Sequence, residues 1–581
     1  MYLLRWGGVP NLTIYTKNEK VTLPFNLAVG SPFKKFHNRE LANLLKIILS
    51  SFKIDLVHVH HSLFLSLDVF YEAAKQNIPI IASLHDFYSV CPNHNLLDYN
   101  YKYCFPKDDL DYCAECLWKK LKISKLIPNY LQKWRSEYIR AFSLCKELFI
   151  PSQSAKDIVL HFYPDLKEKL TVIEHGSNSF QDLPKGKIKI DDRIKSCFDQ
   201  IKHNLIEGWI FLSDSDSKEN NIVVEVSNSS GFQKRVFVYS KPRPDVAKAH
   251  NDNRYVYSGF RLPLPLDLLP QGALSVKILV EHKGELFSDG KEIKIENKHQ
   301  ARKNLLNIAF IGAIHKIKGE EMIASLIQKN DSNFTWHTFG EIALKDWPQK
   351  MRNFPNYYST FGYKREHLQS LIDFYSIDLI CTISIGPETF AYTLSEALLC
   401  GVPVIATDLG ALGERVKKMD CGWVISPDES SDGIINLLQR LGRDSDEYKN
   451  KKAKVQSLKM KNVREMTDEY RQKYISLMKN SKPEHPQIST DDIKLITDEY
   501  LKELYGLNVQ QNVELETLRQ KEISLNFELE NLKQRSALLD DICNSLSFKL
   551  MLRLKKLLPA PIKYPLKACA LLLRKIYRLF R

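Results

Sequence analysis

At 581 residues the chain is too long for one hydrophobic core, which stops growing near ~250–300 residues, so three or more domains are expected. A 44% hydrophobic and 26% charged composition is ordinary for soluble globular protein, and no apolar run approaches the roughly 20 residues of a membrane span. The net charge of +14 is concentrated at one end: ten Lys or Arg and no Asp or Glu fall between Cys543 and Arg581, which argues against a globally nucleic-acid-binding body. The eleven cysteines are scattered, often inside apolar stretches as at Cys145, Cys381 and Cys400. With no signal peptide at the start, this predicts a reduced, cytoplasmic protein.

In chain order, residues 54–86 read as strand (IDLVHVHH), apolar helix and strand (IPIIASLHD), ending on His85-Asp86 at the strand's carboxyl end. A basic helical stretch at 119–142 follows, then a strand ELFIPS with Ser152 as a helix cap, then LTVIEHG ending at His175-Gly176. From about 205 to 296 the pattern changes to short alternating strands such as NNIVVEVSN and LSVKILVEH, the signature of a β-sandwich. The α/β rhythm returns at Leu305 and closes with a long charged helical stretch near 446–479. SKPEHPQIST reads as a linker. Beyond it Leu518, Leu525, Leu532 and Leu539 recur every seven residues with Leu515 and Leu529 in phase, predicting a short coiled coil and self-association. A lone amphipathic helix packing on the body is the competing reading.

The most informative segment is PETFAYTLSEALLCGVPVIATDLGA, residues 387–411. Strand (IDLICTIS), acidic turn, helix, Gly401 and strand form a βαβ crossover, which puts Glu388 at the carboxyl end of a parallel strand, where open α/β sheets bind ligands. Glu396, eight residues on, returns to nearly the same side at ~100° per residue. Backbone N–H groups of Phe390, Ala391 and Tyr392 at the helix start are free to cradle an anion. A phosphate on those amides, with carboxylates for sugar hydroxyls on either side, describes a nucleotide-sugar site.

This segment resembles the retaining glycosyltransferases of family 4, whose glutamate pair has the same spacing and is followed by an A-x-x-x-G-x-P-V-I-A run. The resemblance spans roughly residues 54–180 and 305–445. It implies an α/β GT-B fold: two facing Rossmann-like domains, here with an inserted all-β sandwich and a C-terminal coiled coil plus amphipathic helices. The expected domains are 1–190 (acceptor side), 200–298 (the β insert), 300–480 (nucleotide-sugar side), 481–505 (linker), 506–542 (coiled coil) and 543–581 (basic tail). Carried over by residue, Glu388 meets hydroxyls of the donor sugar, and the amides of Phe390 and Ala391 meet sugar or diphosphate. Glu396 holds the ribose, Lys318 neutralises the leaving diphosphate, and His85 sits beside the donor sugar. The family needs no catalytic cofactor or divalent ion; the nucleotide-sugar is the co-substrate.

The chain departs from the family pattern at two places. An arginine is expected directly after Gly312, but Ala313 stands there, leaving His315 or Lys316 as substitutes that lack the planar guanidinium fork. The opening MYLLRWGGVPNLTIYTKNEK has no glycine-rich loop running into a helix, so the N-terminal domain reads as lacking its first βα unit. Two cysteine and acidic motifs need separate weighing. Cys91, Cys104, Cys113 and Cys116 fall within 26 residues, and four thiolates there suit a structural zinc, against the reading of packing cysteines. Asp214 and Asp216 form a D-x-D in a serine-rich turn of the insert and read as a solvated loop.

The tail from Cys543 alternates cations with Leu, Ile, Phe and Tyr and is broken by Pro559, Pro561 and Pro565. Short helices of this kind lie on an anionic bilayer, and nucleic acid is the weaker reading because the leucines would be wasted on phosphate. Together these features predict a glycosyltransferase, peripheral on the inner face of the cytoplasmic membrane. It would move a sugar from a nucleotide-diphosphate donor to a polysaccharide or lipid-linked glycan in surface glycan synthesis. A non-catalytic glycan- or nucleotide-binding scaffold is the alternative, and epimerisation on the same fold is disfavoured.

Overall fold

The computed structural model describes residues 2–6, 10–15, 20–24 and 36–478, apart from short stretches at 64–65, 106–108, 124–128, 203, 300–305, 330, 344–346, 348–353 and 444. The chain divides into two compact units, Met1–Glu484 and His485–Arg581, and every described residue belongs to the first. The expected linker, coiled coil and basic tail lie outside the described residues. Among the described residues no helix is long and apolar enough to cross a membrane.

Strands Tyr2–Trp6, Pro10–Tyr15 and Lys20–Pro24 form an antiparallel three-stranded sheet of their own, separate from the parallel sheet that follows. The N-terminal lobe carries parallel strands Val57–Val59, Ile80–Ser83, Glu147–Ile150 and Leu170–Val172, adjacent in sequence order. Ile80–Ser83 is buried at every residue, as a parallel strand covered by helices on both faces must be. Ser152 caps the helix Gln153–Phe162, its side chain accepting from the Ala155 N–H.

The insert is a two-sheet β module. One sheet holds Gly259–Pro263, Leu205–Leu212 and Ile194–Lys202; the other is built on Gln233–Val238, Asn221–Ser227 and Gly272–His282. Alternate residues of the two sheets (Ile206, Ile210 and Leu212; Val224 and Val226; Val276 and Ile278) meet in one core. The Gly-aromatic dipeptides pair across strands, Gly208 opposite Phe260 and Trp209 opposite Gly259. The Phe260 ring lies where a side chain on Gly208 would be, 2.9 Å from an ideal Cβ, so the aromatic covers the glycine of the facing strand.

The C-terminal lobe is a six-stranded parallel sheet in the order Tyr357–Ser359, Phe334–Phe339, Leu306–Ile311, Leu379–Thr382, Val404–Thr407, Gly422–Ile425. Numbered along the chain this is 3-2-1-4-5-6, the doubly wound order whose ligand crevice opens between strands 1 and 4. The charged stretch after it is two helices, Asp446–Ser457 and Val463–Met478, rather than one. Asn462 and Glu465 exchange side-chain-to-backbone hydrogen bonds of 2.9 and 2.8 Å, a capping box that starts the second helix. That helix leaves the C-terminal lobe: Met466, Tyr470, Tyr474 and Leu477 form one stripe packed on Ile81, Phe149 and Ile173 of the N-terminal sheet.

In the strand Phe334–Phe339 of the C-terminal sheet His337 is completely buried, and neither ring nitrogen meets a partner among the described residues. It lies between Tyr358 and Tyr375, with ring centroids 5.3 and 5.0 Å away. Burial drives its pKa from 6.5 to about 3. The unfolded chain binds this proton near pH 6.5 and the folded chain does not, so the stability is fully present above that value. It is lost at about 1.4 kcal/mol per pH unit as pH falls from 6.5 toward 3. A His337→Phe variant keeps the ring packing and is expected to flatten this acid limb of the unfolding curve, read as Tm between pH 7 and 4.5; an unchanged limb would assign it to other groups.

Candidate active site

The carboxyl ends of strands 1 and 4 of the C-terminal sheet make one side of a cleft. Leu306–Ile311 ends at Gly312, whose φ of +91° turns the chain sharply out of the sheet. The loop closes in a short 3₁₀ turn, Lys316–Lys318, and then Gly319 at φ +75°, where a Cβ would lie 2.1 Å from the Ile383 carbonyl oxygen. This close approach seats Lys318 on the turn that follows strand 4. Its Nζ is 2.6 Å from Glu388 Oε1, and the Ser384 hydroxyl donates to the same oxygen at 2.5 Å.

The Glu388 backbone is itself anchored: its carbonyl accepts from Ala411 N at 2.9 Å, and Gly410 packs so closely that a Cβ would be 2.7 Å from that oxygen. Ala391 adopts the left-handed conformation (φ 64°) and opens the helix Tyr392–Leu399 with no side-chain cap, leaving the first-turn N–H groups for an anion. Phe390 and Ala391 are buried, and their carbonyls are held by Arg415 Nη1 at 2.7 and 3.1 Å. Glu396 is buried on the same side; it accepts from Arg365 Nε at 2.8 Å and Tyr363 OH at 3.2 Å. Burial pushes its pKa up and the Arg365 charge opposes the rise.

Of the two substitutes for the missing arginine, His315 lies close enough to Lys318 and Glu388 to feel both charges; burial and Lys318 lower its pKa. Lys316 is turned elsewhere. Its Nζ sits 4.5 Å above the Tyr101 ring and 3.7 Å from Glu321 Oε1, which corrects the expectation that it faces the diphosphate.

The N-terminal lobe supplies the opposite wall. His85, just past Ile80–Ser83, is one ring in a column: His60 stacks on it at 5.2 Å, His175 at 5.3 Å, and His175 stacks in turn on Tyr392 of the C-terminal lobe at 5.4 Å and 3°. His60 Nδ1 and His85 Nε2 share a hydrogen bond of 2.9 Å. Burial and mutual repulsion lower the pKa values of His85 and His175 to about 4, so the column is uncharged at neutral pH. The Thr389 hydroxyl donates to the His85 carbonyl at 2.6 Å, so the residue after Glu388 touches the histidine across the cleft. Beside the column is a recess lined by His60, His61, Asp86, Tyr88 and Tyr138.

The four cysteines of the loop lie close enough for their thiols to interact. Cys113 and Cys116 lie a turn apart on the helix Leu110–Leu121, whereas the Cys104 thiol is engaged with the Leu96 carbonyl at 3.0 Å. Burial, with the neighbouring thiols adding to it, raises the Cys91 and Cys104 pKa values to about 12 and 11. Among the described residues no group of three or more His, Cys, Asp or Glu is placed to hold a metal ion. Asp214 pairs with Arg193 and Asp216 caps a turn with its side chain, both in the β module.

The sequence brought Glu388, Glu396, Lys318 and His85 forward, and all four line this cleft. It missed Tyr363, Arg365, Ser384, Thr389, Arg415 and His60. Of these only Thr389 and Ser384 lie near enough to the motif for sequence to have suggested them.

Two Rossmann-like lobes with their strand ends meeting across a cleft of this composition define a GT-B glycosyltransferase. A family model described as Glycosyltransferase Family 4 matches residues 13–179, and one described as Glycosyl transferases group 1 matches residues 291–457. The chain belongs to the glycosyltransferases of this family-4 type and is an enzyme of that class. Among solved structures it is similar to Anabaena HepE in complex with UDP, at 12% identity and a TM-score of 0.41 over 75% of this chain and 82% of that one. It is similar also to a glycosyltransferase from Rickettsia africae (13%, TM-score 0.41, 79% and 85%). A third likeness is to a sucrose-phosphate synthase from Thermosynechococcus elongatus (13%, TM-score 0.42, 81% and 86%). No match is found among curated protein sequences.

Proposed function

We propose that this enzyme transfers a sugar, with retention of anomeric configuration, from a nucleotide-diphosphate donor to a polysaccharide or lipid-linked glycan acceptor. The observation that carries the reading is the Lys318–Glu388 contact at the crevice between strands 1 and 4, beside an uncapped helix start and opposite His85. In this reading Lys318 takes the charge that develops on the departing diphosphate, with the first-turn amides of Tyr392–Leu399 sharing it. Glu388 then exchanges its lysine partner for donor-sugar hydroxyls, and Glu396 accepts from the ribose. The His60–His61–Asp86 recess holds the acceptor, whose hydroxyl attacks from the face the leaving phosphate has vacated; that phosphate takes the proton, so no side-chain nucleophile is assigned. Holding two substrates in this register is itself worth several orders of magnitude in rate.

The cationic, leucine-rich run from Cys543 supports a peripheral location on an anionic membrane, and the heptad leucines support self-association. Bacterial surface-glycan synthesis, on the cytoplasmic side of the membrane, is the setting these features fit.

The test is a nucleotide-sugar binding and hydrolysis screen on the full chain. One donor is expected to bind and to release nucleotide slowly, with both effects lost in Glu388→Ala and Glu396→Ala. Binding that survives in both variants would overturn the site. In the same preparation, cosedimentation with anionic but not neutral vesicles is expected, and indifference to both would remove the membrane role.

A further inference from the structure

The β module is wedged against one short segment of the C-terminal lobe, Phe361–His367, which is also the segment that holds Glu396. The contacts alternate. Toward the module, the Arg261 guanidinium lies 4.5 Å and the Lys241 ammonium 5.5 Å from the centre of the Phe361 ring, which is carried on a left-handed residue (φ 57°). The Tyr239 ring covers Gly362 so closely that a Cβ there would be 2.6 Å from it. Lys364 Nζ donates to Asn221 Oδ1 at 2.8 Å, and the buried His367 ring stacks on Phe237 at 3.9 Å and 14°. Toward the donor side, Tyr363 OH and Arg365 Nε both donate to the Glu396 carboxylate. The helix that follows, Leu368–Phe374, lies on Gln233–Val238, the outermost strand of its sheet; Ser370 Oγ accepts from Phe237 N at 3.2 Å and Lys234 Nζ donates to the carbonyls at the helix end.

We propose that the β module is a positioning element of the donor site: through Tyr239, Asn221 and Phe237 it fixes Phe361–His367, and thereby places Arg365, Tyr363 and the nucleotide-binding carboxylate Glu396. A segment with one face on the module and the other on Glu396 transmits any displacement of the first to the second, because packed side chains do not deform continuously. The module therefore acts on nucleotide affinity rather than on the chemical step, which Lys318 and Glu388 serve from a different loop. The inference rests on the donor-site reading above.

The experiment measures donor KM, kcat and Tm for the full chain carrying Tyr239→Ala or Lys364→Met, two contacts outside the cleft. A rise in donor KM of roughly tenfold is expected with kcat within about twofold of the parent, as for other residues that orient a ligand-binding group. In a Tyr363→Phe/Arg365→Ala background neither change is expected to raise KM further, since both links to Glu396 are already cut. Tyr257→Ala, an exposed aromatic on the same module, is expected to leave KM alone. A fall in Tm with unchanged KM in both variants would reduce the module to a scaffold and overturn the proposal. If Glu396→Gln leaves donor KM unchanged, the donor-site reading fails and this inference falls with it. If Glu396→Gln raises KM but Tyr239→Ala and Lys364→Met do not, only the inference falls.

Discussion

Replacing Lys318 by alanine is expected to lower kcat/KM for transfer about 10²–10³-fold, the loss typical when one fixed donor to developing negative charge is removed. Most of this loss should appear in kcat, because the cation is worth more against the separating diphosphate than against the intact donor. The fold should survive: the side chain is about one-third exposed and touches no core cluster, and the turn that carries it is pinned by Gly319 against Ile383. Lys318→Arg keeps the charge but spreads it over a planar head that the 2.6 Å contact with Glu388 was not shaped for, so partial recovery is expected. Steady-state kinetics with the identified donor decide the matter. Parental kcat in Lys318→Ala would remove this residue from the chemistry.

The second large effect is expected at Arg415, a residue that never meets the cleft. Its guanidinium is 3% exposed, donates to the carbonyls of Phe390 and Ala391 and to Ser395 Oγ at 2.8 Å, and lies 3.9 Å from the centre of the Phe390 ring. Burial lowers its pKa to about 10, which leaves it charged at neutral pH. Arg415→Leu strands two buried carbonyls and a hydroxyl, at about 3–5 kcal/mol in sum. More consequentially, it releases the left-handed turn at Ala391 that sets the helix start, the proposed phosphate site. Loss of measurable nucleotide binding together with a Tm lower by several degrees is expected, by calorimetry on the purified variant. Intact nucleotide affinity in a destabilised protein would show that the turn holds itself.

What sequence revealed of this protein was what lies close together along the chain. Glu388 and Glu396 announce themselves because one short turn and the first turn of the helix Tyr392–Leu399 fix their relation within nine residues. The insert was legible for the same reason, since period-two alternation is a local signal. Arg365 was not. It lies 31 residues from Glu396 and is delivered there by a sheet order that no local pattern encodes. The loop after Gly312 offers His315 and Lys316 in place of an arginine, and the fold keeps His315 near Lys318 and Glu388 but turns Lys316 to Tyr101 of the other lobe. The helix break before Val463 is the opposite case: Asn462 and Glu465 stood in the sequence as a readable capping box that the run of charges concealed. The histidine column is built from three strand ends in separate parts of the chain, so the sequence shows His85 and His175 only as separate strand-end residues.

The return of Val463–Met478 to the N-terminal sheet fixes the order in which the protein can be finished on the ribosome. The last N-terminal strand, Leu170–Val172, emerges long before the stripe of Met466, Tyr470, Tyr474 and Leu477 that covers Ile81, Phe149 and Ile173. Roughly 300 residues separate them, some 15–60 s of translation at about 5–20 residues per second. Through that interval the first lobe carries an uncovered apolar face, and His58 waits for the Tyr474 hydroxyl that bonds it at 2.5 Å. The completion of the first lobe is thus timed by the last of the described helices rather than by its own strands.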